Sequence, residues 1–599
     1  MKDAVLVDHL GRKGLCGAAY LKDVEFESGV IEVDVAVDGS RSYPGINFRM
    51  QSNEEYERFY VRPHRARLYP DALQYAPVFN GVACWQLYHG EGATAGAILP
   101  ANQWIHLKME IHGTQARVFV GDGEHPTLTI CDLKHGLSKG TIGVLGPRSL
   151  SAVFSNFSYR KDDALRFDDP PVAETPPGTI ADWQISRGFK ADQIDTEVYP
   201  YFFTIFYAQW QDVRIEPTGL VNLSRYVRRE DPNGDLVFAR TIVRSDDKQN
   251  VKLSFGYSDD VSIFLNGRKV FAGESGYRSR DPSFVGAIGY KDHVYLPLQK
   301  GLNEIFLMVG ETFGGWGFMC KADRELLPPI KKHDAATKAW ETPDVFKIPE
   351  SVLYDHRRDV LYVSSFSRVS AKDADTGFIS KVRTSGEIAE LQWVTGLDGP
   401  CGMAIVGDRL YVVEGFRHNL VEIDIESGEI LQRHNIPGAT FLNDVAADDA
   451  GNLYISDTSR APEDPDLYKF KDGKWELWRQ TDEIHRANGL FVHGGLLLVG
   501  NTGDGCFKAV NLDDGTVRTI TSLGAGVVDG IRVDPAGNYI VSHWEGQVYR
   551  ISPEGDVVEI LDTMAEGLNN ADFELIKEKN LLVSPTFMGN KVVAYTLKP

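Results

Sequence analysis

One string of letters occurs six times between residues 350 and 585: ESVLYDHRRDVLYVSS from Glu350, CGMAIVGDRLYVVE from Cys401, NDVAADDAGNLYISD from Asn443, NGLFVHGGLLLVGN from Asn488, DGIRVDPAGNYIVSH from Asp529 and NADFELIKEKNLLVSP from Asn570. Successive copies begin 41 to 51 residues apart. Each copy contains a short β-rich run, a turn and a second β-rich run, which together are typical of the four-stranded blade of a β-propeller. The six copies therefore predict a six-bladed β-propeller over residues 345–599.

Two proline-rich stretches, 168–178 and 327–349, divide the rest of the chain and predict domain boundaries. Residues 1–165 and 180–326 consist of short alternating β-rich runs, which two antiparallel sheets packed face to face would accommodate. We therefore predict an all-β protein with two β-sandwich (jelly-roll) domains followed by the propeller.

Both upstream segments resemble known jelly rolls. Residues 1–165, with ERFYVRPH at 57–64 and WIHLKMEIHG at 104–113, resemble the concanavalin-like jelly rolls of lectins and glycan hydrolases. Residues 180–326, with YSDDVSIFLNG at 257–267, resemble the galactose-binding-like jelly roll. The residues of the first segment that would line a sugar-binding face, unless they pack the two sheets together, are Tyr60, Arg62, His64, Trp85 and Tyr88.

The composition narrows the class of partner. Among 599 residues, 63 Lys and Arg stand against 84 Asp and Glu, and the net charge of −21 repels nucleic-acid phosphates and anionic lipids. No apolar run is long enough to span a bilayer, and the first residues lack the apolar core of a signal peptide. Six dispersed cysteines without a CxxC pair do not resemble a disulfide framework. We expect a cytoplasmic protein with a small-molecule partner. The sequence leaves open whether the sandwich segments form a homo-oligomer.

The first residue of each copy would open the innermost strand of its blade, so that the six equivalents surround the central channel. Five of these six residues carry a carboxylate or a carboxamide. Such oxygen ligands suit a hard divalent cation, and Ca2+ fits best, with Zn2+ or Mg2+ as alternatives. Zinc stays an alternative because Cys401 could supply a thiolate ligand. The competing interpretation is that these side chains cap turns and bind channel water.

A second ring follows 13 or 14 residues later in each copy, where the chain returns to the same face. Its members are Ser364, Glu414, Asp457, Asn501, His543 and Ser584.

Four copies resemble, in order, the senescence-marker-protein, gluconolactonase and luciferin-regenerating family, whose wider relatives include paraoxonases. The matching strings are Pro349-Glu350, Asn443 to Asp457, Asn488-Gly489-Leu490 and Asp529 to Asn538. The resemblance implies that Glu350, Asn488 and Asp529 hold a catalytic cation, together with Asn443 directly or through substrate. The sugar-lactonase branch carries an Arg where this chain has Phe441. This departure favours an apolar or aromatic lactone or ester over a hydrophilic sugar lactone.

The sequence thus predicts a metal-dependent hydrolase that opens a lactone or ester. A cation polarises the carbonyl and acidifies water, while Asp529 or His543 takes the proton of that water. Motifs for zinc peptidases, serine hydrolases, kinases and dinucleotide enzymes are absent from the sequence. The two alternatives are a metal-dependent lyase or isomerase on the same propeller and a non-catalytic glycan-binding modular protein. The predicted substrate-binding residues are Asn570, Asp457, Glu414, Phe441 and Cys401.

Overall fold

The computed structural model describes residues 4–170, 174–231, 234–329, 335–368, 370–458 and 467–598. Within these ranges the chain forms 48 β-strands and a single α-helix, Tyr201–Phe206. The prediction of an almost purely β protein is therefore confirmed. None of the described segments forms a helix with the length and hydropathy required to cross a bilayer.

The first part of the chain folds over one hydrophobic core. Strands β1 to β14 are, in order, Ala4–His9, Arg12–Tyr20, Gly29–Val37, Gly45–Met50, Glu57–Val61, Leu73–Tyr75, Val78–Phe79, Val82–Ala83, Thr94–Ala95, Trp104–His112, Gln115–Val120, Leu128–Ile130, Thr141–Leu145 and Ala152–Lys161. Eleven of them form a sheet with the order β12-β11-β10-β3-β14-β2-β13-β4-β5-β6-β9, and β1 joins it as a twelfth strand beside β2. Alternate residues of the strands point inward, as in WIHLKMEIH of β10, where every second side chain is buried.

The second part contains two sheets that share another core. One sheet has the order β16-β15-β18-β23, with β20 beside β23 and β21 beside β20, and the other has the order β17-β24-β19-β22. Strands β15 to β24 are, in order, Trp183–Lys190, Gln211–Val213, Leu220–Asn222, Asp235–Ser245, Gln249–Tyr257, Asp260–Leu265, Arg268–Glu274, Asp292–Leu298, Gly301–Glu311 and Gly317–Ala322. The assignment of these two parts to jelly rolls, and the limits of the domains, remain predictions.

The third part forms a propeller-like ring of six four-stranded antiparallel sheets, which we call blades 1 to 6. The first strand of each blade contacts the first strand of the next, from blade 1 to blade 6 and back to blade 1. Strands β25 to β48 are, in order, Ala336–Glu341; Pro349–Asp355, Val360–Ser365, Gly377–Arg383 and Ile388–Leu397 of blade 1; Pro400–Val406, Arg409–Glu414, Asn419–Asp424 and Ile430–Asn435 of blade 2; Leu442–Ala447, Leu453–Asp457, Leu467–Lys471 and Lys474–Arg479 of blade 3; Ala487–His493, Leu496–Asn501, Cys506–Asn511 and Val517–Leu523 of blade 4; Val528–Val533, Tyr539–His543, Gln547–Ile551 and Val557–Asp562 of blade 5; and Glu574–Ile576, Leu581–Pro585 and Val592–Leu597 of blade 6.

Blade 6 is completed by a strand from the other end of the ring. Ala336–Glu341, which precedes blade 1, pairs antiparallel with Val592–Leu597 and supplies the outer strand of blade 6. The ring is thereby closed with backbone hydrogen bonds rather than by side-chain packing alone.

The second part is joined to blade 4 by a continuous sheet. Gly301 and Leu302 of β23 pair in parallel with Ser522 and Leu523 of β41. Leu302 is 4% exposed and belongs to the hydrophobic core between blades 4 and 5. This junction places the second part against the side of the ring.

Candidate functional site

The predicted inner ring lies at equivalent places in the blades. Each of five ring residues is the second residue of the innermost strand of its blade: Glu350, Cys401, Asn443, Asn488 and Asp529. The sixth, Asn570, lies just before the short first strand of blade 6. All six are buried, with relative exposures of 9% or less.

The acidic groups of the channel lie near enough to influence one another. Burial raises the pKa of the Glu350 carboxyl well above its usual range, and the negative charges of Asp529, Asp572 and Asp444 raise it further. Burial also raises the pKa of Asp529, again helped by Asp572 and Asp444. The repulsion among these carboxyls is the electrostatic environment that a bound cation would relieve.

Three buried oxygens from three blades lack a hydrogen-bond partner among the residues that the structure describes. They are Oε2 of Glu350, Oδ1 of Asn488 and Oδ1 of Asp529. An unpaired buried polar atom costs about 1–3 kcal/mol, so three of them at equivalent strand positions require an explanation. Carboxylate and amide oxygens are the ligands that Ca2+ and Mg2+ prefer, and these residues therefore fit the predicted cation.

Zinc fits this donor set less well. In the described part of the chain, no group of three or more His, Cys, Asp or Glu side chains is placed to hold a metal ion. The predicted site has only two such ligands, Glu350 and Asp529, beside two carboxamides. Burial raises the pKa of the Cys401 thiol well above its ordinary value, and the charge of Glu350 adds to this shift, so the thiolate that zinc prefers is disfavoured.

Two carboxyls of the channel escaped the sequence analysis. Asp444 accepts hydrogen bonds from the backbone N–H groups of Val445 and Leu490, at 2.7 and 2.6 Å. Asp572 accepts from the Ser351 hydroxyl and lies 3.4 Å from Nη1 of Arg532. Asp444, Asp572 and Arg532 line a cavity of about 160 Å3 beside the inner strands. In the sequence, their positions at the inner strands already pointed to the channel. Asp444 lies one residue after Asn443, and Asp572 lies two residues after Asn570.

Three of the predicted substrate-binding residues form structural hydrogen bonds. The carboxylate of Glu414 accepts from the Asp398 backbone N–H and from Nδ2 of Asn419, at 3.1 and 2.9 Å. Nδ2 of Asn570 donates to the Gly546 carbonyl oxygen at 2.6 Å. Asp457 accepts from the backbone N–H groups of Thr440 and Phe441, at 2.8 and 2.9 Å. Their role in binding substrate remains a prediction.

His543 ends the second strand of blade 5 and is paired with a residue that the sequence analysis missed. Its Nδ1 lies 2.5 Å from Oε2 of Glu545. Burial is the largest single influence on the pKa of His543 and lowers it, but the charge and hydrogen bond of Glu545, together with the charge of Glu304, outweigh burial, and the net shift is upward. Glu304 of the second part acts in the same direction, and Glu545 also raises the pKa of Asp529. Glu545 therefore influences both predicted proton-transfer groups.

Aromatic side chains surround one mouth of the channel. Phe441 lies 5.5 Å from Phe416 and 6.4 Å from Phe366, measured between ring centroids. The chain of rings continues through Phe587 to Trp544, with centroid distances of 6.1 and 5.2 Å. Phe366, Phe416, Trp544 and Phe587 each follow the second strand of a blade, a regularity that the repeat already contained.

The helix of the second part adds a ring to this aromatic rim. Phe206, the last residue of Tyr201–Phe206, lies 6.2 Å from Trp544. The hydroxyl of Tyr201, at the other end of the helix, donates to the carbonyl oxygen of Thr502 at 2.9 Å. A hydrogen bond to blade 4 and an aromatic contact with blade 5 thus fix the helix at the rim.

This part of the chain is therefore a propeller-like unit. Its six blades form a ring, and acidic and amide side chains lie in the channel of that ring. Residues 348–579 match the family model described as SMP-30/Gluconolactonase/LRE-like region. The family resemblance predicted from the repeat is confirmed for these residues. No curated protein matches the chain.

Solved structures with similarity to the chain include three enzymes. A gluconolactonase from Xanthomonas campestris is 18% identical over 44% of this chain and 89% of its own, with a TM-score of 0.35. A luciferin-regenerating enzyme is 16% identical over 44% and 95%, with a TM-score of 0.34. A virginiamycin B lyase from Staphylococcus aureus is 11% identical over 42% and 94%, with a TM-score of 0.32.

Proposed function

We propose that the propeller is the catalytic unit of a divalent-cation-dependent hydrolase that opens an ester or a lactone, with Ca2+ as the cation. The family match of residues 348–579 supports a lactonase-type activity. Glu350, Asn488 and Asp529 would hold the cation, and Asn443 would contribute directly or through substrate.

The observation that carries this proposal is the set of three buried, unpartnered oxygens of Glu350, Asn488 and Asp529. They come from blades 1, 4 and 5, so local turn formation does not account for them. When bound, a divalent cation supplies an electrophile for the carbonyl oxygen and lowers the pKa of a water molecule.

Asp529 is the proposed general base. Its Oδ1, which has no hydrogen-bond partner among the described residues, is also a proposed cation ligand, so this carboxylate would accept the proton of an attacking water only if it held the cation loosely. His543 is the alternative base. Its pairing with Glu545 favours a positioning role, because Glu545 fixes the imidazole and contributes negative charge near Asp529.

The aromatic rim supports an apolar or aromatic substrate. Phe416 and Phe206 are each 40% exposed, which leaves ring surface available to a ligand. Aromatic faces bury flat apolar groups favourably and offer few hydrogen bonds to a polyhydroxylated ring. We therefore favour an aryl ester or aromatic lactone over a sugar lactone.

The test uses the full chain after treatment with a chelator. Phenyl acetate, dihydrocoumarin and gluconolactone are each assayed with chelator and with Ca2+ restored, and Ca2+ binding is followed by calorimetry. We expect hydrolysis of the first two compounds only when Ca2+ is present. Asp529→Asn should reduce turnover by about 100-fold or more, because it removes the base and one charged ligand.

Asp513→Asn is the matched control, because Asp513 is exposed at a turn of blade 4 and should be dispensable. Hydrolysis that persists in chelator would contradict the proposal. An elimination product in place of a hydrolysis product would favour the lyase alternative. Ligand binding without turnover of any compound would favour the binding-protein alternative.

A further inference from the structure

Another cavity lies between the first and second parts of the chain, and its lining contains no described residue of the propeller. It has a volume of about 270 Å3. The first part contributes the strand Glu57–Val61 and the residues around it, while the second part contributes Tyr277 and Phe313. The cavity exists only where the two parts meet, so neither part forms it alone.

The lining is strongly basic in a protein whose net charge is −21. Arg41, Arg58, Arg62 and Arg65 all line the cavity, and Asp71 is the only acidic lining residue within the described ranges. Asp71 is already occupied, because it lies 3.1 Å from Nη1 of Arg62 and 2.5 Å from Nε of Arg65. The positive charge of the cavity is therefore in excess.

The remaining two arginines bind only uncharged groups. Nε of Arg41 donates to the Tyr43 hydroxyl at 2.8 Å, and Nη2 of Arg58 donates to the Tyr43 carbonyl oxygen at 3.1 Å. Within the part of the chain that the structure describes, neither guanidinium forms an ion pair with a carboxylate. Both keep N–H donors available for an anion.

Two buried nitrogens at the cavity have no hydrogen-bond partner in the described ranges of the chain. They are Nε of Arg58 and Nδ1 of His64. Burial lowers the pKa of His64, and the charges of Arg41, Arg62 and Arg65 lower it further, so the imidazole stays neutral near pH 7. The unpaired Nε–H of Arg58 indicates a site that can receive an acceptor atom, whereas Nδ1 of the neutral His64 donates or accepts according to its tautomer.

Aromatic faces complete the walls. Trp85 lies 5.6 Å from Phe313 between ring centroids, and the guanidinium of Arg62 lies 5.6 Å from the Trp85 ring. The guanidinium of Arg41 lies 5.7 Å from the ring of Tyr277. Unlike aromatic rings alone, rings beside guanidinium groups suit a sugar with an acid group, because the apolar C–H face of the sugar packs on the ring and its hydroxyl and acid groups accept from the guanidinium donors.

We propose that this cavity binds one ring of an anionic sugar, with a carboxylate or sulfate group on Arg41 and Arg58 and the ring against Trp85. Small-molecule sites usually measure about 300–1,000 Å3, and the smaller volume here suits a single ring better than an extended chain. The proposal is independent of the chemistry in the propeller channel.

The experiment is calorimetric titration of the full chain with D-glucuronate and a glucose sulfate, with D-glucose and inorganic sulfate as reference ligands. We expect both anionic sugars, D-glucuronate and the glucose sulfate, to bind more tightly than either reference ligand. Arg58→Gln and Arg41→Gln should each weaken binding by about tenfold or more, which corresponds to about 1.4 kcal/mol, because each removes a charged donor. Arg41 is exposed, so its substitution should leave the thermal midpoint unchanged.

Arg383→Gln is the matched control, because Arg383 is exposed on blade 1 and pairs with Glu387. Ester hydrolysis should be unaffected in all three variants. Equal affinity for D-glucose and D-glucuronate would overturn the anionic part of the proposal, and equal affinity for inorganic sulfate and the sugar acids would overturn the ring-binding part. Failure of both cavity variants to weaken binding relative to Arg383→Gln would overturn the site itself.

Discussion

Asn488 illustrates how one side chain can report on a whole site. Its Oδ1 is buried, has no partner among the described residues and lies at the same strand position as Glu350 and Asp529 in other blades. A carboxamide that only capped a turn would have a local donor. The unpaired oxygen therefore supports the proposed cation.

Asn488→Ala should weaken Ca2+ binding by about tenfold or more while the metal-free protein keeps its thermal midpoint, because the removed oxygen has no protein partner. Calorimetry and thermal melts with and without Ca2+ measure the two effects. Asn511→Ala, in the third strand of the same blade, serves as the control for binding. A variant that binds Ca2+ as tightly as the parent chain would exclude Asn488 as a ligand.

Glu311 makes stability depend on pH outside the channel. Burial raises its pKa to about 8, and the nearby charge of Asp259 adds to the shift. The folded state therefore holds this proton more tightly than the unfolded state does. The resulting stability is fully present below about pH 4.5, the ordinary pKa, and is lost as the pH rises through about 8, by about 1.4 kcal/mol per unit at most.

Glu311→Gln should abolish this part of the pH dependence and stabilise the protein at pH 9 relative to the parent chain, because glutamine needs no proton to remain neutral. Urea unfolding at pH 5, 7 and 9 measures the effect. If both chains lose the same stability between pH 5 and pH 9, the Glu311 carboxyl is not the group responsible.

The repeat predicted the ring positions and the acidic or amide character of the channel. It did not predict Asp444, Asp572 or Glu545, because they lie outside the first position and the returning position of each copy, where polar side chains recur. Their importance depends on which face of the inner strand each residue occupies, and bulges in these strands disturb simple alternation.

Gly489 shows why the inner strands approach so closely. It follows Asn488 in the first strand of blade 4, and a Cβ atom at this position would lie 1.7 Å from the backbone oxygen of Asp529. The absence of a side chain lets the inner strands of blades 4 and 5 bring Asn488 and Asp529 together. Close packing of the inner strands thus explains why glycine follows Asn or Asp in the NG and DG pairs of the repeat.

Gly489→Ala should destabilise the protein by about 1–3 kcal/mol and weaken Ca2+ binding, because the added methyl group forces two inner strands apart. Denaturant unfolding and calorimetry measure these effects. Gly96→Ala is the control, since a Cβ at Gly96 meets its nearest atom at an ordinary 3.5 Å. Equal stability of the two variants would show that the blades can yield at Gly489.

The number and order of blades could be predicted from the sequence because each copy carries its own strand and turn signals. The closing strand Ala336–Glu341 could not, because ATKAWE lacks the repeat motif and pairs with a segment far along the chain. The same is true of the pairing of β23 with β41. Non-local strand pairing leaves no periodic trace in a single sequence.

The second part of the chain and the propeller share a sheet, a hydrophobic core and an aromatic rim. Leu302 inserts into the core between blades 4 and 5, and Phe206 approaches Trp544 at the channel mouth. The second part is therefore a wall of the candidate site as well as a support for the ring.

Leu302→Ala should lower the free energy of unfolding by about 2–5 kcal/mol, because it leaves a cavity in a core shared by two parts of the chain. Denaturant unfolding measures the loss. Leu6→Ala is the control, because Leu6 is 82% exposed and should change stability little. A similarly small effect at both positions would mean that the junction contributes nothing to stability.

During translation, Ala336–Glu341 leaves the ribosome before any part of blade 1, whereas its partner Val592–Leu597 follows the rest of blade 6. Until that partner is synthesised, the nascent arc of blades has unpaired strand edges, which are prone to aggregation. A premature stop codon before Val592 would remove the partner strand, so the arc of blades could not close. The ring can therefore close by backbone pairing only after blade 6 has been translated in full.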